Sequence, residues 1–188
     1  MTEAEVKKVL DETRSLMQKA LEHFEYELSK IRAGKANPSM LEDVEVEAYG
    51  SRSPLVQLAN ISTPDAKTIT IQPWDASLLQ AIERGIMMAN IGLTPQNDGK
   101  IIRLNIPPLT EERRKDLVKQ ARQEAETARV SVRNIRRDAN EKIKKLIKDG
   151  LPEDSGKKAE ADIQNITNDY TRKIEKHLEI KEKEIMTV

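Results

Sequence analysis

The stretch from Thr110 to Lys148 (TEERRKDLVKQARQEAETARVSVRNIRRDANEKIKKLIK) leaves this chain few folds to choose from. Its residues Leu117, Ala121, Ala125, Ala128, Val132, Ile135, Ala139, Ile143 and Leu146 recur at steps of three and four. At about 100° per residue they share a strip roughly 80° wide, the mark of one amphipathic helix. Pro107 and Pro108 precede it, Thr110 is placed to cap it, and Glu111 and Glu112 suit the positive end of the helix dipole. Lys142, Lys144, Lys145 and Lys148 suit the negative end, and Gly150 fits the left-handed closing position. At about 1.5 Å per residue the element is nearly 60 Å long. That exceeds most globular helices, and the flanking segments have to be explained by it.

Both flanks repeat the pattern. Thr2-Glu3-Ala4-Glu5 fits a capping box, and Val6, Val9, Thr13, Leu16, Ala20, Phe24, Leu28 and Ile31 follow at helical spacing. From about Glu153 to Met186, Ile163, Ile166, Tyr170, Ile174, Leu178 and Ile185 do the same. Each segment has one apolar seam and cannot bury it alone, so the three together predict a long three-helix bundle. The short Asp149–Asp154 connection forces the second and third helices antiparallel. An aromatic content of 3% suits such aliphatic packing.

Between the first and second long helices the chain changes character. Gly34, Pro38, Gly50, Pro54, Pro64, Pro73, Gly92, Pro95 and Gly99 punctuate residues 33–106. Val44-Glu45-Val46-Glu47 and Thr68-Ile69-Thr70-Ile71 alternate as strands do, Lys100–Ile106 reads as a further strand, and Leu55–Ile61 as a weaker one. Asp75 is placed to cap a helix running to about Asn90, with Trp74 and Leu79 as a hydrophobic staple and Gly92 as its stop. The expected fold class is therefore α+β: a bundle of residues 1–31 and 107–188 with a small α/β, β-rich domain, 32–106, inserted in it. Two connecting strands, near Ile31–Pro38 and Asn105–Leu109, would join them, the second broken by the Pro107-Pro108 pair.

Charge narrows the function. Lys plus Arg and Asp plus Glu each number 32, so a generally basic coat is excluded. Residues 111–148 nevertheless hold 13 basic and 7 acidic side chains, so any anionic partner should meet the central helix. Arg122, Arg129, Arg133 and Arg136, spaced seven, four and three apart, share a face about 60° wide beside the apolar strip. No interleaved acid is read on that face. Arg136 is the member nearest the buried seam. A solvated face with intrahelical ion pairs is the plainer reading of any charge run, and an anion-binding row is the sharper one.

Other chemistry is missing from the sequence. There is no cysteine for a disulfide or a thiolate metal site. Phosphate-loop, dinucleotide, zinc-protease and serine-elbow motifs are absent, and His23 and His177 lie alone on helices. The expectation is a binding protein without catalytic residues, metal or cofactor, monomeric and cytoplasmic, with no apolar run long enough for a membrane span. An RNA- or ribosome-binding factor and a helical adaptor for an acidic protein surface both fit the arginine row.

Three stretches carry a more specific likeness: Ile31–Pro38 (IRAGKANP), Pro107–Leu117 (PPLTEERRKDL) and Ala128–Asn140 (ARVSVRNIRRDAN). In this order and over essentially the whole chain, the sequence resembles the ribosome recycling factor family. The resemblance implies an L-shaped protein of tRNA-like dimensions whose bundle binds large-subunit ribosomal RNA. Elongation factor G with GTP would then act on the complex, separating the subunits and freeing mRNA and tRNA. The family's bundle arginines correspond to Arg133 and Arg136 and its hinge-proximal arginine to Arg32, while Lys35 stands where many relatives have arginine. Arg114, Arg122, Arg129 and Arg137 complete the expected RNA-facing set. Arg32, Ala33, Gly34, Asn105, Ile106, Pro107 and Pro108 make up the expected hinge.

Overall fold

A computed structural model describes residues Thr2–Thr187. Their chain order is α1 (Thr2–Ser29), β1 (Glu45–Ala48), β2 (Ser51–Pro54), β3 (Ala59–Asp65), β4 (Thr68–Pro73), α2 (Leu79–Ala89), β5 (Pro95–Asn97), β6 (Ile102–Asn105), α3 (Glu111–Lys148) and α4 (Glu153–Met186). The chain divides into two compact units, Met1–Ala33 with Glu111–Val188, and Gly34–Thr110.

The helical unit follows from its three seams. Leu117, Ala121, Ala125, Ala128, Val132, Ala139 and Ile143 are buried along α3, with Ile135 and Leu146 half-buried at the margin. Ile163, Ile166, Ile174, Leu178 and Ile185 are buried along α4. On α1 the seam differs at two positions from the expected one. Leu16 is 46% exposed and Ala20 only half-buried, and Met17 and Leu21 take their places, with Phe24 and Leu28 after them. At 3.6 residues per turn, a step of four from Thr13 keeps the stripe on the core, whereas a step of three leaves it. Two buried hydroxyls, Thr13 and Thr167, donate to the carbonyls of Val9 and Ile163 one turn back, so neither is orphaned. The capping box expected at the first residues needs the Thr2 side chain, which lies outside the described residues.

α3 closes as its glycine predicts. Gly150, at φ +117, donates its N–H to Ile147 O and Leu151 donates to Leu146 O, the paired bonds of a Schellman ending. Leu151 is buried and α4 starts at Glu153, so this turn fixes the register of α3 against α4.

The inserted unit is an antiparallel four-stranded sheet, order β3-β4-β6-β5, with a separate β1–β2 hairpin. Alternation puts Val46 and Ala48 of β1, Ile69 and Ile71 of β4, and Ile102 and Leu104 of β6 into one core with Leu79, Ile82 and Ile86 of α2. The Leu55–Ile61 stretch is not one strand. A 3-10 turn at Leu55–Gln57 interrupts it, and β3 starts only at Ala59. β3 tolerates Pro64 because it lies at the sheet edge. Helix α2 stops at Asn90, in the left-handed conformation, before Gly92 is reached. Asp75 caps a 3-10 turn ahead of α2 by accepting from the Ser77 N–H, and Trp74 is 69% exposed, so no tight staple forms.

Candidate nucleic-acid interface

Packing of the α3 seam dictates where its arginines go. With one stripe turned to α1 and α4, the Arg122–Arg129–Arg133–Arg136 row lies at the border of the bundle surface, alongside α4. Two of the four are engaged across that border. Arg122 Nε donates to Glu182 Oε1 at 2.6 Å, and Arg129 reaches Glu175 Oε1 through Nε and Nη2, each at 2.6 Å. These contacts hold both guanidinium pKa values above their ordinary level, with Glu182 and Glu175 as the largest causes.

Glu126 corrects the sequence reading that no acid interrupts the row. It lies about 20° from Arg133 on the helix. It accepts from Arg133 Nη2 at 3.0 Å and from Arg129 Nη1 at 3.1 Å. Those two donors, Arg133 first, hold its carboxyl below the usual carboxylate range, so it stays ionised. Arg133 is thus aimed by an acid on its own helix. Arg129, with only 25% of its side chain exposed, ties α3 to α4.

Arg136 is different. It is half-buried beside the seam and makes no ion pair among the described residues. A guanidinium without a countercharge keeps its donors available for the oxygens of a phosphate. Arg137 donates to Asn134 one turn away and is exposed. Arg114 is half-buried near the start of α3, and its Nε has no hydrogen-bond partner among the described residues. Arg32 and Lys35 are exposed and stand between α1 and the first 3-10 turn. A groove of about 400 Å³ continues the basic face beyond Arg122, lined by Lys115, Val118, Lys119, Arg122, Glu182 and Met186. Lys115 and Lys119 were missing from the sequence-derived row, although they precede Arg122 at steps of four and three.

The hinge candidates fall into two sets. Asn105 is the last residue of β6, opposite Thr68, and Ile106 is buried and donates its N–H to Lys67 O at 2.7 Å. Both are held by the sheet unit, as is Ala36, which donates to Ala66 O at 2.7 Å. Arg32, Ala33, Gly34, Pro107 and Pro108 lie in neither helix nor strand.

Among the described residues no cluster of three or more His, Asp or Glu side chains is placed to hold a metal, and no helix is long and apolar enough to cross a membrane. Fold and site together define a helical binding protein with a guanidinium-rich face and an inserted sheet domain. Residues 24–186 match the family described as ribosome recycling factor. The ribosome-recycling factor of Flavobacterium johnsoniae is 53% identical over 188 residues, covering 100% of both chains, and that of Cytophaga hutchinsonii is 50% identical over 98% of this chain and 99% of its own. A solution structure of ribosome recycling factor superposes with a TM-score of 0.72 at 41% identity, covering 98% of each chain. A second solved chain, at TM-score 0.61 and 49% identity over 100% of both chains, is the T. thermophilus factor placed with E. coli elongation factor G on the E. coli post-termination complex. The chain belongs to the ribosome recycling factor family.

Proposed function

We propose that this protein recycles ribosomes: its bundle binds large-subunit ribosomal RNA of the post-termination complex, and with elongation factor G and GTP it promotes subunit dissociation and release of mRNA and tRNA. The observation that carries the RNA contact is Arg136, a half-buried arginine on the guanidinium face of α3 with no ion pair among the described residues. Arg133, aimed by Glu126, sits beside it. Arg32, Arg114 and Arg137 add cationic groups on the helical unit and Lys35 adds one on the sheet unit, while Arg122 and Arg129 first brace α3 against α4. The protein itself is not an enzyme in this reading. Nucleotide hydrolysis belongs to the elongation factor, and the protein acts as a cytoplasmic monomer without a cofactor. A ribosome-splitting assay tests this. Subunits should separate only when this protein, elongation factor G and GTP are all present, and splitting that proceeds equally well without this protein would end the proposal.

The same reading includes a hinge. The residues free of sheet bonds are Arg32 to Gly34 on one strand and Pro107 and Pro108 on the other. Gly34 has φ +72, and a Cβ there would stand 2.7 Å from Leu109 Cγ, so the two strands run against each other at that glycine. Spin labels at Thr127 and Lys100 should show a broad distance distribution, or one that shifts when ribosomes are added. A single narrow distance, the same free and bound, would exclude a working hinge.

A further inference from the structure

The two arginine–glutamate pairs between α3 and α4 form a regular ladder. Arg122 and Arg129 are seven residues apart on α3, and their partners Glu182 and Glu175 are seven apart on α4, running the opposite way. Seven residues is close to two turns, so a heptad step returns to the same border of both helices. One further step brings Arg136 on α3 level with position 168 on α4. That residue is Asn168, not an acid. Its side chain is exposed, and its Oδ1 accepts from Gln164 Nε2 at 2.9 Å along its own helix. The third rung is therefore left without a countercharge, and Arg136 is the arginine that loses its partner.

We infer that Asn168 determines the specificity of this face: by being neutral it leaves the Arg136 guanidinium available for a nucleic-acid phosphate. This rests on the reading that the α3 face binds ribosomal RNA. Carboxylate and phosphate compete for the same guanidinium. A carboxylate within reach of an arginine offers the same planar pair of acceptors as a phosphate and is always present at high local concentration. On the first two rungs that carboxylate is there, at 2.6 Å, and those arginines hold helices together. On the third the fold stays the same and the acid is missing. Arg136 keeps its heptad place on the border of α3 without an ion pair among the described residues.

Asn168→Glu should complete the ladder, removing no basic residue and no apolar contact. Using the full-length protein and purified large ribosomal subunits, this variant is expected to bind about tenfold more weakly, with an unchanged or raised melting temperature. Asn168→Gln, neutral and of similar reach, should bind within about twofold of wild type. The decisive comparison is a double-mutant cycle with Arg136→Ala. If the new carboxylate acts through Arg136, Asn168→Glu adds no further loss in the Arg136→Ala background. An undiminished loss there would mean that the carboxylate simply repels RNA, and the inference falls. It also falls if Arg136→Ala binds weakly while Asn168→Glu binds as wild type. If Arg136→Ala itself keeps full affinity, the RNA reading of this face fails and the inference fails with it.

Discussion

Arg136→Ala is expected to weaken binding to large ribosomal subunits by about 10- to 100-fold, the loss of one charge-assisted contact of ~1.5–3 kcal/mol. The melting temperature should stay within about 2 °C of wild type, because no internal ion pair is broken and a half-exposed side chain carries well under 1 kcal/mol of stability. Arg129→Ala should show the reverse balance. It unties Glu175 from α3 and releases Glu126 on one side, at a cost of about 1 kcal/mol in stability, with a smaller loss of affinity. Arg133→Ala should fall between the two, since its guanidinium is shared with Glu126. Arg172, paired one turn away with Asp169 on α4, should be replaceable with little effect on either measurement. The contrast between Arg136 and Arg129 is informative because the two residues are seven apart on one face and differ in ion pairing: Arg129 has Glu175 on α4 and Glu126 on its own helix, and Arg136 has neither.

The second large effect is expected in the sheet unit. Gly85 lies mid-way along α2, and a Cβ there would stand 2.8 Å from the backbone oxygen of Glu45 and 3.2 Å from Val46 Cγ2. Glycine lets α2 rest directly on β1. Alanine would help the isolated helix by ~1 kcal/mol. The obstacle, however, is backbone in a paired hairpin, which cannot rotate away. Overpacking of this kind costs ~1–3 kcal/mol and should outweigh the propensity gain. Gly85→Ala should therefore destabilise the sheet unit, and Gly85→Val more so. Amide exchange locates the effect. Ile69 and Ile71 should exchange faster, while Val132 and Ile163 in the bundle stay as protected as before. Equal acceleration in both units would show that they share one cooperative core.

Much of this architecture was legible because the signals were periodic. The α3 stripe, the Ile163–Ile185 seam, and the alternations at Thr68–Ile71 and Lys100–Ile106 depend only on local spacing, and the structure buries them accordingly. The β2 and β5 strands were not legible. Ser51–Pro54 and Pro95–Asn97 are polar and short, and they are strands only because β1 and β6 pair with them. Leu16 misled because the α1 stripe could be continued by either of two adjacent residues, and only the packed bundle chooses Met17. At the site the balance is similar. The arginine row could be read by counting, and so could Glu126, had its angle been compared with that of Arg133. Glu175 and Glu182 could not, since they are 46 and 60 residues from Arg129 and Arg122, and the Gly150–Leu151 turn has to set the helix register first.

The response of binding to salt tests the arginine–phosphate contact most directly. Contact between arginines and phosphates releases condensed counterions, so log K falls with log salt by roughly 0.7–0.9 per phosphate neutralised. Affinity for large ribosomal subunits, measured from low to moderate salt, should fall steeply for the wild-type protein, and Arg136→Ala should reduce the slope by about one unit. A wild-type affinity indifferent to salt, or an Arg136→Ala line parallel to the wild-type line, would contradict the claim that this arginine meets RNA.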